Sequence, residues 1–202
     1  PPRPITIGHR GSPSSAPENT LAGYRHALDA GVDMIEVDVR VTCDGHIVLA
    51  HDGTVDGSTD GTGEVAALTF DYVRNLDAGA HRGEEFAGER PPTLAEALDV
   101  TRGRALLNLD LKDGAAVAPM VSTLRDQDAL NDVVVTGCGE EWAALVHTEE
   151  ASLPVFLNMD RELQAAAGGL AEMGVERCLR AGLRGLNFHH GHVTPELVQY
   201  AH

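Results

Sequence analysis

Short apolar runs alternate along the chain with longer segments in which apolar residues recur at three- and four-residue spacing. The runs predict strands near 5–9, 34–39, 47–51, 105–110, 132–136, 153–157 and 184–188. The longer segments predict helices near 18–30, 67–76, 93–102, 115–128, 139–150, 160–181 and 194–202. Pro17, Glu18 and Asn19 suit the first turn of the first helix, and Gly31 suits its end. Thr93 and Glu96 have the spacing of a capping box, and Thr194-Pro195-Glu196 opens the last helix in a similar way. Strands that alternate with helices imply a parallel sheet, either open and doubly wound or closed into a barrel. The barrel is favoured for two reasons. No Gly-rich phosphate fingerprint follows any strand, and polar residues suited to chemistry fall at the ends of at least four strands. One connection stands apart. Between Asp38 and His51 there is no room for a helix, and Asp44-Gly45 marks a tight turn. Segment 53–90, rich in Gly, Asp and Thr, is a long excursion after the third strand and is expected to be a lid or binding loop.

The period of two along a strand sorts the polar residues. Glu36 and Asp38 share one face of their strand, with Ile35 and Val37 on the other. Asn108, Asp110 and Lys112 repeat that arrangement. Two adjacent carboxylates turned into a barrel repel each other and lose hydration unless a cation joins them. With no cysteine nearby, the oxygen donors favour a hard divalent cation, Mg²⁺ or Ca²⁺. Lys112 would act as a point charge near a phosphate. His9 and His51, both at strand ends, are the candidate proton carriers. His26, His46, His81 and His147 read as surface residues, whereas His189, His190 and His192 follow the seventh strand and could reach the same mouth. No Gly-x-Ser-x-Gly elbow occurs, so a serine nucleophile is not expected.

Charge and length narrow the classes further. A net charge of -16 over 202 residues argues against nucleic acid and anionic membranes as partners, while a small anionic substrate stays compatible with a metal and a few placed cations. Lys112 is the only lysine among 15 basic residues. The length suits a single domain over 1–202. Cys43, Cys138 and Cys178 are far apart and odd in number, and read as reduced, small apolar residues. No secretory leader and no apolar run of membrane-spanning length is evident. A cytoplasmic location is expected, or a secreted one if a signal peptide was removed ahead of Pro1.

Taken in order, His9-Arg10-Gly11, Pro17-Glu18-Asn19-Thr20, Glu36-x-Asp38, Asp44-Gly45, His51-Asp52 and Asp110-x-Lys112 resemble the glycerophosphodiester phosphodiesterase family. So do Thr59 to Gly63 with Val65, Leu76-Asp77-Ala78-Gly79, and Pro92-Thr93-Leu94 with Glu96. The resemblance implies a TIM-type (β/α)8 barrel with an insertion after the third strand, here 53–90, and hydrolysis of glycerophosphodiesters to sn-glycerol 3-phosphate and an alcohol. By the same carry-over, Glu36, Asp38 and Asp110 hold a divalent cation, His9 and His51 act as general base and acid, and Arg10 and Lys112 neutralise the phosphate. In the family's mechanism the substrate's glycerol 2-hydroxyl attacks phosphorus, and water then opens the cyclic phosphate.

Three departures qualify the resemblance. Asp110 stands where these hydrolases mostly carry glutamate and the related sphingomyelinase D-like enzymes use aspartate, so a phospholipase D-like lyase acting on choline or ethanolamine lipids is an alternative. Gly57 replaces a common arginine. The chain also stops short of the family's Trp-Thr-Val-Asn and Gly-Val-Asp strands; a barrel of this type takes about 250 residues. The expectation is therefore a barrel lacking its last one or two strands, a fragment of a longer protein. Its open edge invites oligomerisation if another chain covers it, and a non-catalytic barrel that binds glycerophosphate or a partner is the alternative from another class.

Overall fold

In the computed structural model the described residues are 4–159 and 170–188, together with 193, 195, 198 and 199. Six strands run parallel: β1 (Ile7–His9), β2 (Met34–Val41), β4 (Leu106–Leu111), β5 (Val133–Cys138), β6 (Val155–Asn158) and β7 (Gly185–Asn187). They lie in the order β1-β2-β4-β5-β6-β7. The result is an α/β fold with a curled parallel sheet. The remaining strand, β3 (Ile47–Leu49), is the exception to the expected parallel arrangement: it pairs antiparallel with the far end of β2, matching Val39 to Leu49 and Val41 to Ile47. The tight turn at Asp44-Gly45 makes this hairpin. Gly45 adopts φ +84 and donates to the Thr42 carbonyl at 3.0 Å, and the Thr42 hydroxyl donates to Asp44 at 2.6 Å.

Alternation along the strands separates two environments. Ile35, Val37, Val39, Leu107, Leu109, Leu111, Val133 and Val135 point to one face, all but completely buried. They join a single core with residues of α1 (Leu21–Asp29), α3 (Leu94–Thr101), α4 (Val117–Asp126) and α5 (Glu140–Glu149). Burial of this β-branched and leucine surface is the main favourable contribution to the fold. On the opposite face, at the same levels, stand Glu36, Asp38, Asn108, Asp110 and Thr136. That polar face carries the candidate site.

Helix ends follow local chemistry, with one instructive difference. Thr93 accepts from Glu96 N–H at 3.1 Å while the Glu96 carboxylate accepts from Thr93 N–H at 2.8 Å, completing the expected capping box. Gly31, at φ +78, donates to the Leu28 carbonyl just after α1. But α1 begins at Leu21, capped by Thr20, and not at Pro17. Asn19 adopts φ 50, which no helical turn accepts, because its side chain is bonded elsewhere. Similarly, the helix expected near 67–76 is a 3₁₀ turn over Val65–Ala67 followed by the shorter α2 (Phe70–Arg74). Of the helix expected over 160–181, α6 (Leu170–Arg180) is described; 160–169, His189, His190, His192 and nearly all of 194–202 lie outside the described residues.

Segment 53–90 has its own small core, in which Val55, Val65, Val73 and Leu76 pack with Val48 of β3. Asp77 fixes the far end by accepting from the N–H groups of Gly79, Ala80 and Gly88 at 2.7–2.8 Å. These bonds hold its carboxyl below the ordinary range. The cysteines are all free; Cys138 and Cys178 are buried, as expected of small apolar residues, whereas Cys43 is exposed. Nor are two of the surface histidines solitary: His46 packs on Phe70 with ring centroids 4.7 Å apart, and His26 meets Phe86 edge-on. Among the described residues no helix is long and apolar enough to cross a membrane.

The Leu109 side chain lies wholly in the sheet–helix core. Leu109→Ala is expected to lower stability by about 2–5 kcal/mol. Urea denaturation should show this as a lower midpoint with an unchanged slope.

Candidate active site

Strand register places the acids. Asp38 and Asp110 are direct partners across β2 and β4, and Glu36 lies one inward-facing step below, beside His9 of β1 and Asn108 of β4. Glu36, Asp38 and Asp110 each offer a carboxylate oxygen within 4.8 Å of the others. Asp38 has no exposed surface and Glu36 very little. So much buried negative charge needs compensation.

The chain compensates in part. The Lys112 ammonium lies 2.9 Å from Asp38 Oδ1 and donates to Asp110 Oδ2 at 2.9 Å. Burial alone would lower its pKa, but the two carboxylates outweigh this and hold it above the ordinary value. Arg10 contributes twice. From a left-handed φ of 53 its N–H donates to Glu36 Oε2 at 2.8 Å, and its guanidinium Nε approaches Asp38 Oδ2 at 3.4 Å. Glu18 holds the other end of that guanidinium at 3.2 Å.

Two oxygens stay short of donors. Asp110 Oδ1 is buried with no hydrogen bond, and Asp38 Oδ1 faces Lys112 without an aligned one. Burial, reinforced by the charge of Asp38, pushes the Glu36 pKa up to about 8. Three crowded, partly unsatisfied carboxylates with only oxygen donors can hold a metal ion.

His9 and His51 flank this cluster from different elements. The His9 imidazole Nε2 is 3.9 Å from Glu36 Oε2. Burial and the neighbouring Arg10 charge lower its pKa, against the opposing pull of Asp38. His51 does not arrive on a parallel strand end; the antiparallel return of β3, with Ala50 N–H donating to the Asp38 carbonyl at 3.0 Å, carries it back to the acids. Its Nδ1 pairs with Asp52 at 2.8 Å.

All seven residues singled out from the sequence thus gather at one polar face. Three others were not foreseen as parts of it. Asn19 donates to Asp38 Oδ2 at 2.7 Å, accepts from Asp38 N–H at 3.3 Å, and is itself met by the buried Tyr24 hydroxyl at 3.4 Å. Glu18 steadies Arg10. Arg40 donates through Nε and Nη2 to the His51 carbonyl at 3.0 and 2.6 Å. Arg40 shares the face of Glu36 and Asp38 by strand period, which was a usable signal. Asn19 offered none beyond its place in Pro17-Glu18-Asn19-Thr20.

The profile of the glycerophosphoryl diester phosphodiesterase family matches residues 9–202. The chain belongs to this family. A glycerophosphodiester phosphodiesterase from Caldanaerobacter subterraneus subsp. tengcongensis is 44% identical over 116 residues, covering 57% of this chain and 48% of that relative. Glycerophosphodiester phosphodiesterase 1 of Mus musculus is 45% identical over 119 residues, covering 57% of this chain and 36% of that relative. The chain therefore matches about half or less of the length of these curated relatives. Among solved structures, a phosphodiesterase of Oleispira antarctica in complex with the product sn-glycerol-3-phosphate superposes with a TM-score of 0.85 at 28% identity, covering 98% of this chain and 80% of that one. A glycerophosphodiester phosphodiesterase of Agrobacterium tumefaciens gives 0.72 at 27% identity, covering 91% and 86%.

Two measurements check the electrostatics. Asn19→Ala leaves a buried Asp38 oxygen without its donor and is expected to cost about 1–3 kcal/mol of stability in chemical denaturation. Glu36 binds its proton more tightly folded than unfolded. The metal-free protein therefore keeps this contribution to stability below about pH 4.5 and loses it as pH rises through about 8. A divalent cation bound at Glu36 would replace that proton, so any rise in Tm on adding Mg²⁺ or Ca²⁺ should be larger at pH 8 than at pH 6.

Proposed function

We propose that this chain hydrolyses glycerophosphodiesters to sn-glycerol 3-phosphate and an alcohol, with a divalent cation, Mg²⁺ or Ca²⁺, held by Glu36, Asp38 and Asp110. The observation that carries this reading is the convergence of three carboxylates, two of them buried and one half-buried, with two flanking histidines and two cations on the polar face of a sheet of this family. The product-bound Oleispira antarctica structure supports the substrate class. The donor-free oxygen of Asp110 and the all-oxygen set offered by Glu36, Asp38 and Asp110 favour a hard cation. When bound, such an ion would stabilise negative charge developing on the phosphoryl oxygens and would make a nearby hydroxyl more acidic.

The remaining work falls to the protein. His9, its pKa lowered, is neutral near pH 7 and accepts the proton of the glycerol 2-hydroxyl as that oxygen attacks phosphorus. As the bond from phosphorus to the alcohol oxygen breaks, His51 gives that oxygen a proton. With Nδ1 engaged by Asp52, Nε2 is the atom left for the transfer. Water then opens the cyclic phosphate. His51 takes a proton from the water and His9 returns one to the 2-oxygen, so both regain their starting states. Arg10 neutralises the phosphate from the β1 side. Lys112 turns to it once Asp38 and Asp110 are otherwise neutralised. Arg40 and Asn19 keep the His51 backbone and the Asp38 carboxylate in place.

The test is release of glycerol 3-phosphate from glycerophosphocholine, with Mg²⁺, with Ca²⁺ and with EDTA. Turnover should require the metal and fall about 10²–10⁴-fold in His9→Ala. The acid limb of kcat/KM should lie below the ordinary histidine value of 6.5 and disappear in that variant. A folded, metal-loaded chain that shows a thermal shift with glycerol 3-phosphate but no turnover would leave a binding protein in place of an enzyme.

A further inference from the structure

The buried, donor-free Oδ1 of Asp110 lies where it does because of a residue on the neighbouring strand. The β4–β5 ladder runs in register as far as Asp110 and Thr136. At the next residue, Gly137, the backbone turns to φ +75, and the pairing of β5 with β6 slips by a bulge between Val135 and Cys138. A Cβ on Gly137 would stand 1.8 Å from Asp110 Oδ1, and 2.5 and 2.6 Å from the Leu111 carbonyl oxygen and nitrogen. No rotamer change relieves contacts with backbone, so the carboxylate and the end of β4 occupy space that exists only because position 137 has no side chain.

We infer that Gly137 is a positioning residue for the candidate metal site: its missing side chain seats the Asp110 carboxylate, and 137 and 110 form a matched pair in which glycine accommodates the short acid arm. This rests on the metal reading given under Proposed function. The argument is geometric. Asp110 sits directly across from Asp38, and the set of oxygens within 4.8 Å includes one of its own. A side chain at 137 drives that carboxylate out of its seat. A glutamate at 110 is one methylene longer, so its carboxylate would reach past the place that Asp110 Oδ1 takes against Gly137. In both cases the third oxygen leaves the cluster while its charge remains in the chain.

The experiment is calorimetric titration of the metal-free protein with Mg²⁺ and with Ca²⁺, beside thermal melts without metal, for wild type, Gly137→Ala, Gly103→Ala and Asp110→Glu. Gly103 has a similar φ of +69 but open space around its Cβ position, so Gly103→Ala reports backbone strain alone. Gly137→Ala is expected to weaken cation binding at least tenfold, while Gly103→Ala, though its melting temperature falls, keeps wild-type affinity within twofold. Asp110→Glu should fold, melt near wild type without metal, and also bind at least tenfold more weakly. Should Gly137→Ala fail to fold, Asp110→Glu decides. Wild-type affinity in a folded Gly137→Ala or in Asp110→Glu overturns the inference and leaves the metal site standing. A wild type that binds neither ion sinks the metal assignment itself, and this inference with it.

Discussion

Mutual repulsion among Glu36, Asp38 and Asp110 is the constraint around which the rest of the site is organised. Three carboxylates within 4.8 Å, one of them without exposed surface, cannot all stay ionised in a dry sheet face unless positive charge and hydrogen-bond donors meet them. The chain meets them from three directions: Lys112 from the end of the strand that carries Asp110, the Arg10 backbone and guanidinium from just after β1, and Asn19 from the turn before α1. What is left over appears as the raised pKa of Glu36 and the donor-free Oδ1 of Asp110. A fold optimised only for stability would not keep such a residue set, which is why buried, perturbed acids point to function.

The same requirement accounts for two local oddities. Arg10 and Asn19 are both non-glycine residues with left-handed φ, and both spend their polar groups on the acids. Backbone strain of this kind persists only where surrounding bonds over-determine it. The Tyr24 hydroxyl, fully buried and held neutral by burial and by the charges of Asp38 and Glu36, bonds Asn19 from behind and completes that arrangement. Strain and charge are therefore coupled through the loops after β1, while the apolar face of the sheet remains an ordinary packed core.

The hairpin of β2 and β3 solves a different problem. A parallel strand end would place a histidine beside its neighbours only after a helical crossover, whereas the antiparallel return sets Ala50 against the Asp38 carbonyl, with His51 the next residue, within a short stretch of chain. Arg40 then fixes its carbonyl, and segment 53–90 packs its own apolar residues against Val48 of the same hairpin. The segment is thus folded on a small core of its own, with its far end tied by Asp77.

Much of this was written in local sequence. Strand period alone put Glu36, Asp38, Asn108 and Asp110 on one face and the aliphatic residues on the other. The Thr93–Glu96 spacing set a helix start, and Asp44-Gly45 marked the turn. These are determined by backbone chirality and hydrogen bonds a few residues apart, so they survive without knowledge of the fold. The start of α1, the direction of β3, the donor set of Asp38 and the seat of Asp110 against Gly137 were decided by the tertiary structure. Each depends on which distant strand lies alongside. A side chain such as Asn19 chooses between beginning a helix and bonding a buried acid only once the sheet has brought that acid within 2.7 Å.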